Sequence, residues 1–309
     1  MIAAALTGLV AAGCRETGHP AAAAGPAPTT PVPTTPVPTA TPAPTGTPVP
    51  AATRAPAVSA RPTVATGSAP ATAPAPPVTR AARTTVPVLC WHQLRAWAPR
   101  DSSYDRQLLV CPPEVFTAQL DALQAAGYTT IGPDRYLAHL RYGEALPERP
   151  VLLSLDDSQG SQMAVALPEL VRRRMTATFF CMTVVLDRPR WMSRDDVRRL
   201  ADAGMTIGAH TWDHHRADRY SGRDWEVQLV RPRAVLQELS GQPVRHFAYP
   251  NGAWDTDDFP HLAAAGYASA YQLDTDPVDR SHPELTLRRQ LVDSGWSGRT
   301  LVSRLDRAR

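Results

Sequence analysis

Two carboxylates stand side by side at the end of an apolar run, VLLSLDD at residues 151–157. Two ionised carboxylates this close raise each other's pKa unless a cation lies between them. It is also costly to leave them unpaired at the end of a buried strand. Asp156 and Asp157 therefore indicate either a cation site or a solvated turn, in which Asp157 or Ser158 caps a helix.

A cluster of histidines occurs later in the chain, in HTWDHH at residues 210–215. Two imidazoles four residues apart, on one turn of helix or in a tight loop, can converge on a single metal ion. Two histidines and one carboxylate are a common ligand set for catalytic zinc, with one position left open for water. His210 and His214 are the predicted pair. The sequence alone leaves His215 as an alternative to His214, and a surface cluster as an alternative to a metal site.

Short apolar runs alternate with amphipathic stretches from Val86 onward. This pattern predicts strands within 86–91, 128–131, 151–157, 176–182, 206–212, 244–250, 267–273 and 285–292. It predicts helices within 112–127, 136–140, 163–175, 193–203 and 224–241, and one before Gly266. Repeated strand–helix units indicate a parallel sheet covered by helices. An open doubly wound sheet and a closed barrel both fit this α/β pattern.

Polar residues recur where the predicted strands end, at His92, Asp156, His210 and Asn251. In a parallel barrel these ends share one face, where catalytic residues gather. No G-x-G-x-x-G or G-x-x-x-x-G-K motif follows any of the strands, so nucleotide binding loses its main support. The pattern favours a barrel enzyme.

Three motifs, SLDDS (154–158), HTWDH (210–214) and FAYPNG (247–252), follow in that order. Together they resemble the polysaccharide deacetylases with a NodB homology domain, carbohydrate esterase family 4, over residues 86–292. The resemblance implies a distorted parallel (β/α) barrel. It also implies one divalent metal ion, usually zinc, and removal of N- or O-acetyl groups from sugars.

The resemblance also implies roles for individual residues. Asp156 matches the general base, and Asp157 matches the metal ligand that acts with His210 and His214. The metal and a backbone N–H of the third motif would hold the oxyanion. Asn251 stands there at a position that is usually aromatic.

The general acid requires a separate argument, because the family's late Leu-x-His motif is missing and no histidine follows His282. VLCWHQL (88–94) resembles the N-terminal segment of the poly-N-acetylglucosamine deacetylase branch, which implies that His92 is the acid. A core or capping histidine is the alternative. Many relatives orient the base with an arginine where this chain has Ala248.

Either Arg288 or Arg289, near the end of another strand, could supply that charge, because arginine presents a rigid donor fork to carboxylates. A structural salt bridge is the alternative. Trp91 and Trp212 adjoin proposed site histidines and are predicted to stack on sugar, and Tyr249 is predicted to contact substrate. Core packing is the prediction for Trp254 and Trp296.

The first 85 residues differ in composition from the rest of the chain. They hold 17 of the 32 prolines and a single acidic residue, Glu16. Such a segment cannot bury enough apolar surface to fold, so residues 20–85 are predicted to be a disordered linker. Residues 1–19 resemble a signal peptide in which Cys14 would be lipidated, with ordinary secretion as the alternative.

The remaining residues, 86–309, form the predicted catalytic domain. They carry 27 arginines against 28 aspartates and glutamates, a net charge of −1. This domain therefore lacks the excess positive charge that is typical of nucleic-acid-binding domains. Cys90 and Cys111 could pair in an oxidising compartment, whereas Cys181 is predicted to be a core thiol.

These observations predict an exported, tethered, monomeric zinc enzyme that deacetylates an N-acetylhexosamine polysaccharide. A lipid anchor would be its one link to a membrane. A carbohydrate-binding protein on the same fold and a zinc hydrolase of other esters or amides are the alternatives.

Overall fold

The computed structural model describes residues 73–308. The predicted signal peptide, the lipidation site at Cys14 and most of the predicted linker lie outside these residues. Among the residues described, no helix is both long and apolar enough to cross a bilayer.

Strands and helices alternate along this part of the chain. The strands are β1 (Val88–Trp91), β2 (Gln93–Leu94), β3 (Val110–Cys111), β4 (Thr129–Thr130), β5 (Pro150–Asp156), β6 (Thr178–Cys181), β7 (Thr206–Ala209), β8 (His246–Ala248), β9 (Ser269–Tyr271) and β10 (Gln290–Leu291). The α-helices are α1 (Pro77–Ala82), α2 (Pro113–Ala125), α3 (Pro133–Tyr142), α4 (Leu167–Arg173), α5 (Arg194–Asp202), α6 (Arg231–Ser240), α7 (Asp258–Ala264) and α8 (Gly298–Arg307). Short π-helical turns occupy Asp105–Leu109, Gln162–Ala166 and Trp225–Val230, and 3-10 turns occupy Ala217–Arg219, Pro250–Gly252 and Pro283–Leu285.

The main sheet is parallel and curled, in the order β10-β1-β5-β6-β7-β8-β9, with β4 beside the start of β5. Its two ends approach each other through one segment: Leu287 bridges to Tyr271 after β9, and β10 pairs with β1. The fold is therefore a distorted parallel (β/α) barrel, as predicted. All strands run the same way, so the carboxyl ends of β1, β5, β7 and β8 share one face.

Apolar residues fill both sides of the curled sheet, which explains why β5 is buried along almost its whole length. One cluster lies between the strands and the surrounding helices and includes Phe179 and Leu200. A second cluster includes Leu152 and Tyr271, together with Tyr136 and Leu140 of α3. The helix α3 thus covers the amino-terminal end of the barrel, leaving the carboxyl ends for the polar residues.

The structure differs from the sequence prediction at residues 77–82, which form α1 within the range predicted as linker. Arg83 explains why this segment is ordered. Its guanidinium donates to the carbonyls of Leu140 (2.9 Å) and His139 (3.3 Å) at the end of α3. Composition could not reveal this contact, because it depends on a helix more than fifty residues away.

The cysteines of the described residues are all free and buried, so Cys90 and Cys111 are not paired. Cys90 lies in β1 and Cys111 in β3, which pairs with β2 rather than with β1. Cys181 is a buried thiol in β6, as predicted.

Candidate active site

A tight turn after β5 places the two adjacent carboxylates. Asp157 and Ser158 both adopt left-handed backbone conformations, with φ of 77° and 59°. The Ser158 hydroxyl accepts a hydrogen bond from the Met182 N–H (3.0 Å) and donates to the Met182 carbonyl (3.2 Å). The turn is thereby fastened to the residue that follows β6, and it separates the Asp156 and Asp157 side chains.

Asp157 lies between the two predicted histidine ligands. Its Oδ1 atom is 3.5 Å from Nε2 of His210 and 3.6 Å from Nε2 of His214. The same oxygen is buried and has no hydrogen-bond partner among the described residues. An unpartnered carboxylate oxygen facing two imidazole nitrogens is the donor set of a divalent metal site. These three residues could therefore hold a metal ion.

The orientation of His210 is set by the strand beside it. Its Nδ1 lies 2.7 Å from the Ala248 carbonyl at the end of β8. A carbonyl can only accept, so Nδ1 carries a proton, and Nε2, which faces Asp157, is the nitrogen that could bind a metal ion. A second hydrogen bond of this kind is what usually fixes a metal-binding histidine.

His214 reaches the site through a loop rather than a helix. Thr211 and His214 are both left-handed, with φ of 67° and 70°, and the Thr211 hydroxyl accepts the His214 N–H at 2.9 Å. Burial and the neighbouring His210 lower the pKa of His214 to about 4, so its imidazole is neutral near pH 7 and can donate a lone pair. His215 is exposed, with its ring 5.8 Å from that of Tyr220. The geometry therefore selects His214 over His215.

Asp156 is buried and paired with Arg289, which directly precedes β10, two strands from β5 in the sheet. The Arg289 Nη1 donates to Asp156 Oδ1 at 2.6 Å, and both side chains are almost inaccessible to solvent. Burial alone would raise the pKa of Asp156, but the charges of Arg289 and His210 outweigh it and hold the pKa below its usual range. Arg288 is exposed, and its guanidinium donates to the Asp274 carbonyl instead. Arg289 is thus the arginine that contacts Asp156.

His92 follows β1 on the same face. The buried Gln162 side chain donates to the carbonyls of His92 (2.9 Å) and Asp156 (2.6 Å), which ties the ends of β1 and β5 together. The Nδ1 atom of His92 is buried without a hydrogen-bond partner among the described residues.

The predicted site residues His92, Asp156, Asp157, His210, His214, Asn251 and Arg289 line one cavity of about 170 Å³. Its walls are formed by His92, Tyr104, Leu109, Asp156, Asp157, His210, His214, Tyr249, Asn251, Gly252, Leu273, Arg289 and Leu291. Carboxylates, imidazoles and a guanidinium thus meet apolar leucines in one small cavity.

A family model for polysaccharide deacetylase matches residues 143–270, which contain both carboxylates and both histidines. The match over these residues confirms the resemblance drawn from the three motifs.

Known proteins are similar to this domain in sequence and in fold. A chitooligosaccharide deacetylase of Azorhizobium caulinodans is 26% identical over 155 residues, covering 49% of this chain and 71% of the relative. The Streptococcus pyogenes deacetylase PplD, solved in complex with acetate, has a TM-score of 0.65 at 20% identity, covering 71% of this chain and 96% of that one. IcaB from Ammonifex degensii has a TM-score of 0.59 at 24% identity, covering 72% and 96%. The likeness to the two solved structures is one of fold.

The third motif of the domain forms a 3-10 turn at the cavity. Asn251 is exposed and left-handed, with φ of 58°. Gly252 is also left-handed, and a Cβ there would lie 2.7 Å from the backbone nitrogen of Leu273, so only glycine fits. Tyr249 is fully buried, and its hydroxyl donates to the Leu285 carbonyl at 2.9 Å. Its side chain therefore packs in the core, while the residue also forms part of the cavity wall; its predicted contact with substrate stays a prediction.

The predicted sugar-stacking role of Trp91 is wrong. Its indole packs edge-on against Phe116 of α2 and donates to Gln119 at 3.0 Å, on the helix side of the sheet. Side chains alternate along a strand, so Trp91 must point away from the site if His92 points toward it. Trp212 is 42% exposed beside the histidine loop but does not line the cavity. Trp254 and Trp296 pack against the core, as predicted.

Sequence reasoning missed two residues of the site. Gln162 is buried in the turn before α4, and nothing in its sequence context distinguishes it from a surface glutamine. Tyr104 lines the cavity while remaining 55% exposed, and it precedes the π-helical turn between β2 and β3. That segment gave no strand or helix periodicity, so its proximity to the site could not be predicted.

Proposed function

We propose that this domain is a metal-dependent deacetylase that removes acetyl groups from an N-acetylhexosamine polysaccharide. One observation carries the proposal: a buried carboxylate fixed by Arg289 adjoins an Asp157–His210–His214 candidate metal-ligand set in a single small cavity. The likeness to a chitooligosaccharide deacetylase supports the N-acetylhexosamine class.

Zn²⁺ is the ion we propose for Asp157, His210 and His214, because two imidazoles and one carboxylate are a preferred donor set of catalytic zinc. When bound there, a zinc ion polarises the acetyl carbonyl and makes a water molecule more acidic.

Asp156 is proposed as the general base that accepts the proton of the attacking water. Arg289 occupies its Oδ1, so the second oxygen is left to take the proton. The low pKa of Asp156, held down by Arg289 and His210 against the effect of burial, keeps the carboxylate ionised in neutral solution. Because this base is ionised and rigidly held, little of the activation free energy is spent on orienting it.

His92 is proposed as the general acid. It lines the cavity and its ligand-capable nitrogen lies within 4.8 Å of the Asp156 carboxylate. From this position it would protonate the sugar nitrogen or oxygen as the carbon–nitrogen or carbon–oxygen bond breaks. The backbone N–H of Asn251 is proposed to donate to the developing oxyanion.

The rest of the substrate would lie over the cavity entrance. The acetyl methyl group would contact an apolar wall formed by Leu109, Leu273 and Leu291. The exposed ring of Tyr104 offers a surface on which a sugar could stack. The cavity itself cannot enclose a polymer, so a polysaccharide would cross the exposed face.

We further propose that the protein is exported, is anchored through Cys14 and acts as a monomer on an immobile polysaccharide. The apolar run ending in AAGC supports export, and the proline-rich composition before residue 73 supports a spacer.

Acetate release tests the proposed function. Purified protein is incubated with N-acetylglucosamine oligomers, peptidoglycan and acetylated xylan, and free acetate is measured. We expect release from at least one N-acetylated glycan, and loss of about 100-fold or more in Asp156→Asn, which keeps the shape but cannot accept the proton. Equal background from wild type and Asp156→Asn on every substrate would indicate a carbohydrate-binding protein. Release from acetylated xylan alone would move the activity to O-acetyl esters.

A further inference from the structure

A second set of metal-binding groups adjoins the first. The thiol of Cys90, a ring nitrogen of His92 and a carboxylate oxygen of Asp156 all lie within 4.8 Å of one another. None of these three belongs to the Asp157–His210–His214 set. Sulfur, imidazole and carboxylate together suit zinc-class and softer cations rather than magnesium or calcium.

The register of two strands brings these groups together. Cys90 and His92 are two residues apart at the end of β1, so they share the face opposite Trp91. Leu155 of β5 pairs with Trp91, which places Asp156 next to the end of β1. The Gln162 side chain, bonded to the carbonyls of His92 and Asp156, holds the two ends in this relation.

Each of the three groups has a free coordinating position. The buried Nδ1 of His92 has no hydrogen-bond partner among the described residues, a costly state that a cation would relieve. Asp156 uses Oδ1 for Arg289, while Oδ2 has its nearest charged neighbour, His210 Nε2, at 3.9 Å. The Cys90 thiol makes a weak contact with the Trp91 carbonyl at 3.9 Å and lies beside the Ser154 side chain.

We propose that Cys90, His92 and Asp156 form a second, inhibitory site for a thiophilic divalent cation such as Zn²⁺ or Cd²⁺. The ion enters through the cavity that His92 and Asp156 line, and Cys90 lies beneath them, fully buried. On binding, a metal–sulfur bond forms and the thiol proton passes to solvent. Tetrahedral ligands stand about 3.5 Å apart, so groups that lie within 4.8 Å of one another need to draw together by no more than about 1.3 Å to bind one ion.

The second site is weaker than the first, because the positive charge of Arg289 lies beside it. It therefore fills only when cation exceeds one equivalent. The inhibition, though not the binding, rests on the proposed function: the second ion would occupy both the proposed base and the proposed acid. The enzyme would then need one cation for activity and lose activity with two.

A cadmium titration tests the site. Full-length protein loaded with one equivalent of Zn²⁺ is titrated with Cd²⁺, and the ultraviolet thiolate-to-Cd²⁺ absorption, the bound metal per chain and acetate release are followed together. We expect the thiolate absorption to rise with a further equivalent of bound Cd²⁺, while acetate release falls. Even an outer-shell partner contributes roughly 10- to 100-fold to metal affinity. Cys90→Ser should therefore abolish the absorption and raise the inhibitory Cd²⁺ concentration at least that much, with one-equivalent activity unchanged.

Two further variants control for misfolding and for cadmium binding by the other cysteine thiols. The chain has four cysteines, so Cys14→Ser/Cys111→Ser/Cys181→Ser leaves Cys90 as its one thiol, and this variant should keep the full absorption. Cys111→Ser is the matched control for a buried thiol far from the carboxylates. Loss of the absorption in the triple variant, or its persistence in Cys90→Ser, would overturn the proposed site. Protein that shows the absorption but never releases acetate would keep the site and reject the proposed function.

Discussion

At the scale of single residues, the buried Asp156–Arg289 pair is the most consequential contact of the site. Removing a carboxylate from water costs several kcal/mol unless a partner compensates. The guanidinium does so through a 2.6 Å hydrogen bond, and it lies 5.2 Å from the centre of the Phe180 ring. Ala248 of β8 carries no charge, and Arg289, in the segment between the Leu287 bridge to β9 and the start of β10, supplies the guanidinium that meets Asp156.

Replacing Arg289 should therefore change the pH dependence of activity as well as its rate. Arg289 keeps the pKa of Asp156 low, so a base that must be ionised stays active at low pH; without the guanidinium this pKa rises. We expect Arg289→Gln to shift the acid limb of the kcat–pH profile to higher pH and to lower kcat roughly 10- to 100-fold.

Arg289→Lys is the matched variant, because it keeps the positive charge but loses the planar set of N–H donors of the guanidinium. It should retain the wild-type acid limb with an intermediate kcat, while Arg288→Gln should resemble wild type. An unshifted acid limb in Arg289→Gln would contradict a positioning role, since a purely structural loss would lower activity at every pH alike.

Sequence motifs could predict the metal-binding residues because each lies in a short, chemically distinctive run. The choice between Arg288 and Arg289 could not be made, because it depends on which face of the last strand turns inward. Buried Leu287 carries that information: side chains alternate, so residue 289 shares its face. The same rule, applied to His92, would have placed Trp91 outside the site.

At the scale of elements, the loops after the strands hold the site in strained conformations. Asp157, Ser158, Thr211, His214 and Asn251 all have positive φ without being glycine. Each such residue costs about 1 kcal/mol or more and persists only where surrounding contacts enforce it. Contacts such as that of Ser158 with Met182 do so here. No hydrophobic periodicity predicts these turns, so the sequence located the loops but not their shapes.

The helix α1 makes a testable contribution to stability at this scale. Arg83 donates to the last carbonyls of α3, where a cation also interacts favourably with the helix dipole. We expect Arg83→Ala to lower the free energy of unfolding by about 1.5–3 kcal/mol, the value of hydrogen bonds from a charged group. Thermal unfolding followed by circular dichroism measures this as a fall in Tm of several degrees.

Arg100→Ala is the control, since Arg100 is exposed and lies in no ion pair of the described residues. Its Tm should match that of wild type. Equal Tm values for all three proteins would show that α1 does not support the domain. Activity on soluble oligomers should be unaffected by either change below the Tm, because neither residue lies in the site.

At the scale of the whole molecule, the parallel sheet divides the domain into two functional ends. α3 and α1 lie at the amino-terminal end of the strands, where β1 begins, and the cavity lies at their carboxyl end. The cavity therefore lies at the end of the sheet opposite α1. Composition predicted a linker over the residues of α1, and it could not reveal that this helix packs on the end of α3.

The central claim is that Asp157, His210 and His214 hold one divalent cation beside Asp156. Its most direct test is the metal-to-protein ratio of purified protein that is incubated with one equivalent of Zn²⁺ and then dialysed against metal-free buffer. We predict a ratio near one for wild type and for His215→Ala, and loss of bound metal in Asp157→Ala and His210→Ala. Full occupancy in Asp157→Ala and His210→Ala, or a loss in His215→Ala equal to theirs, would contradict the claim.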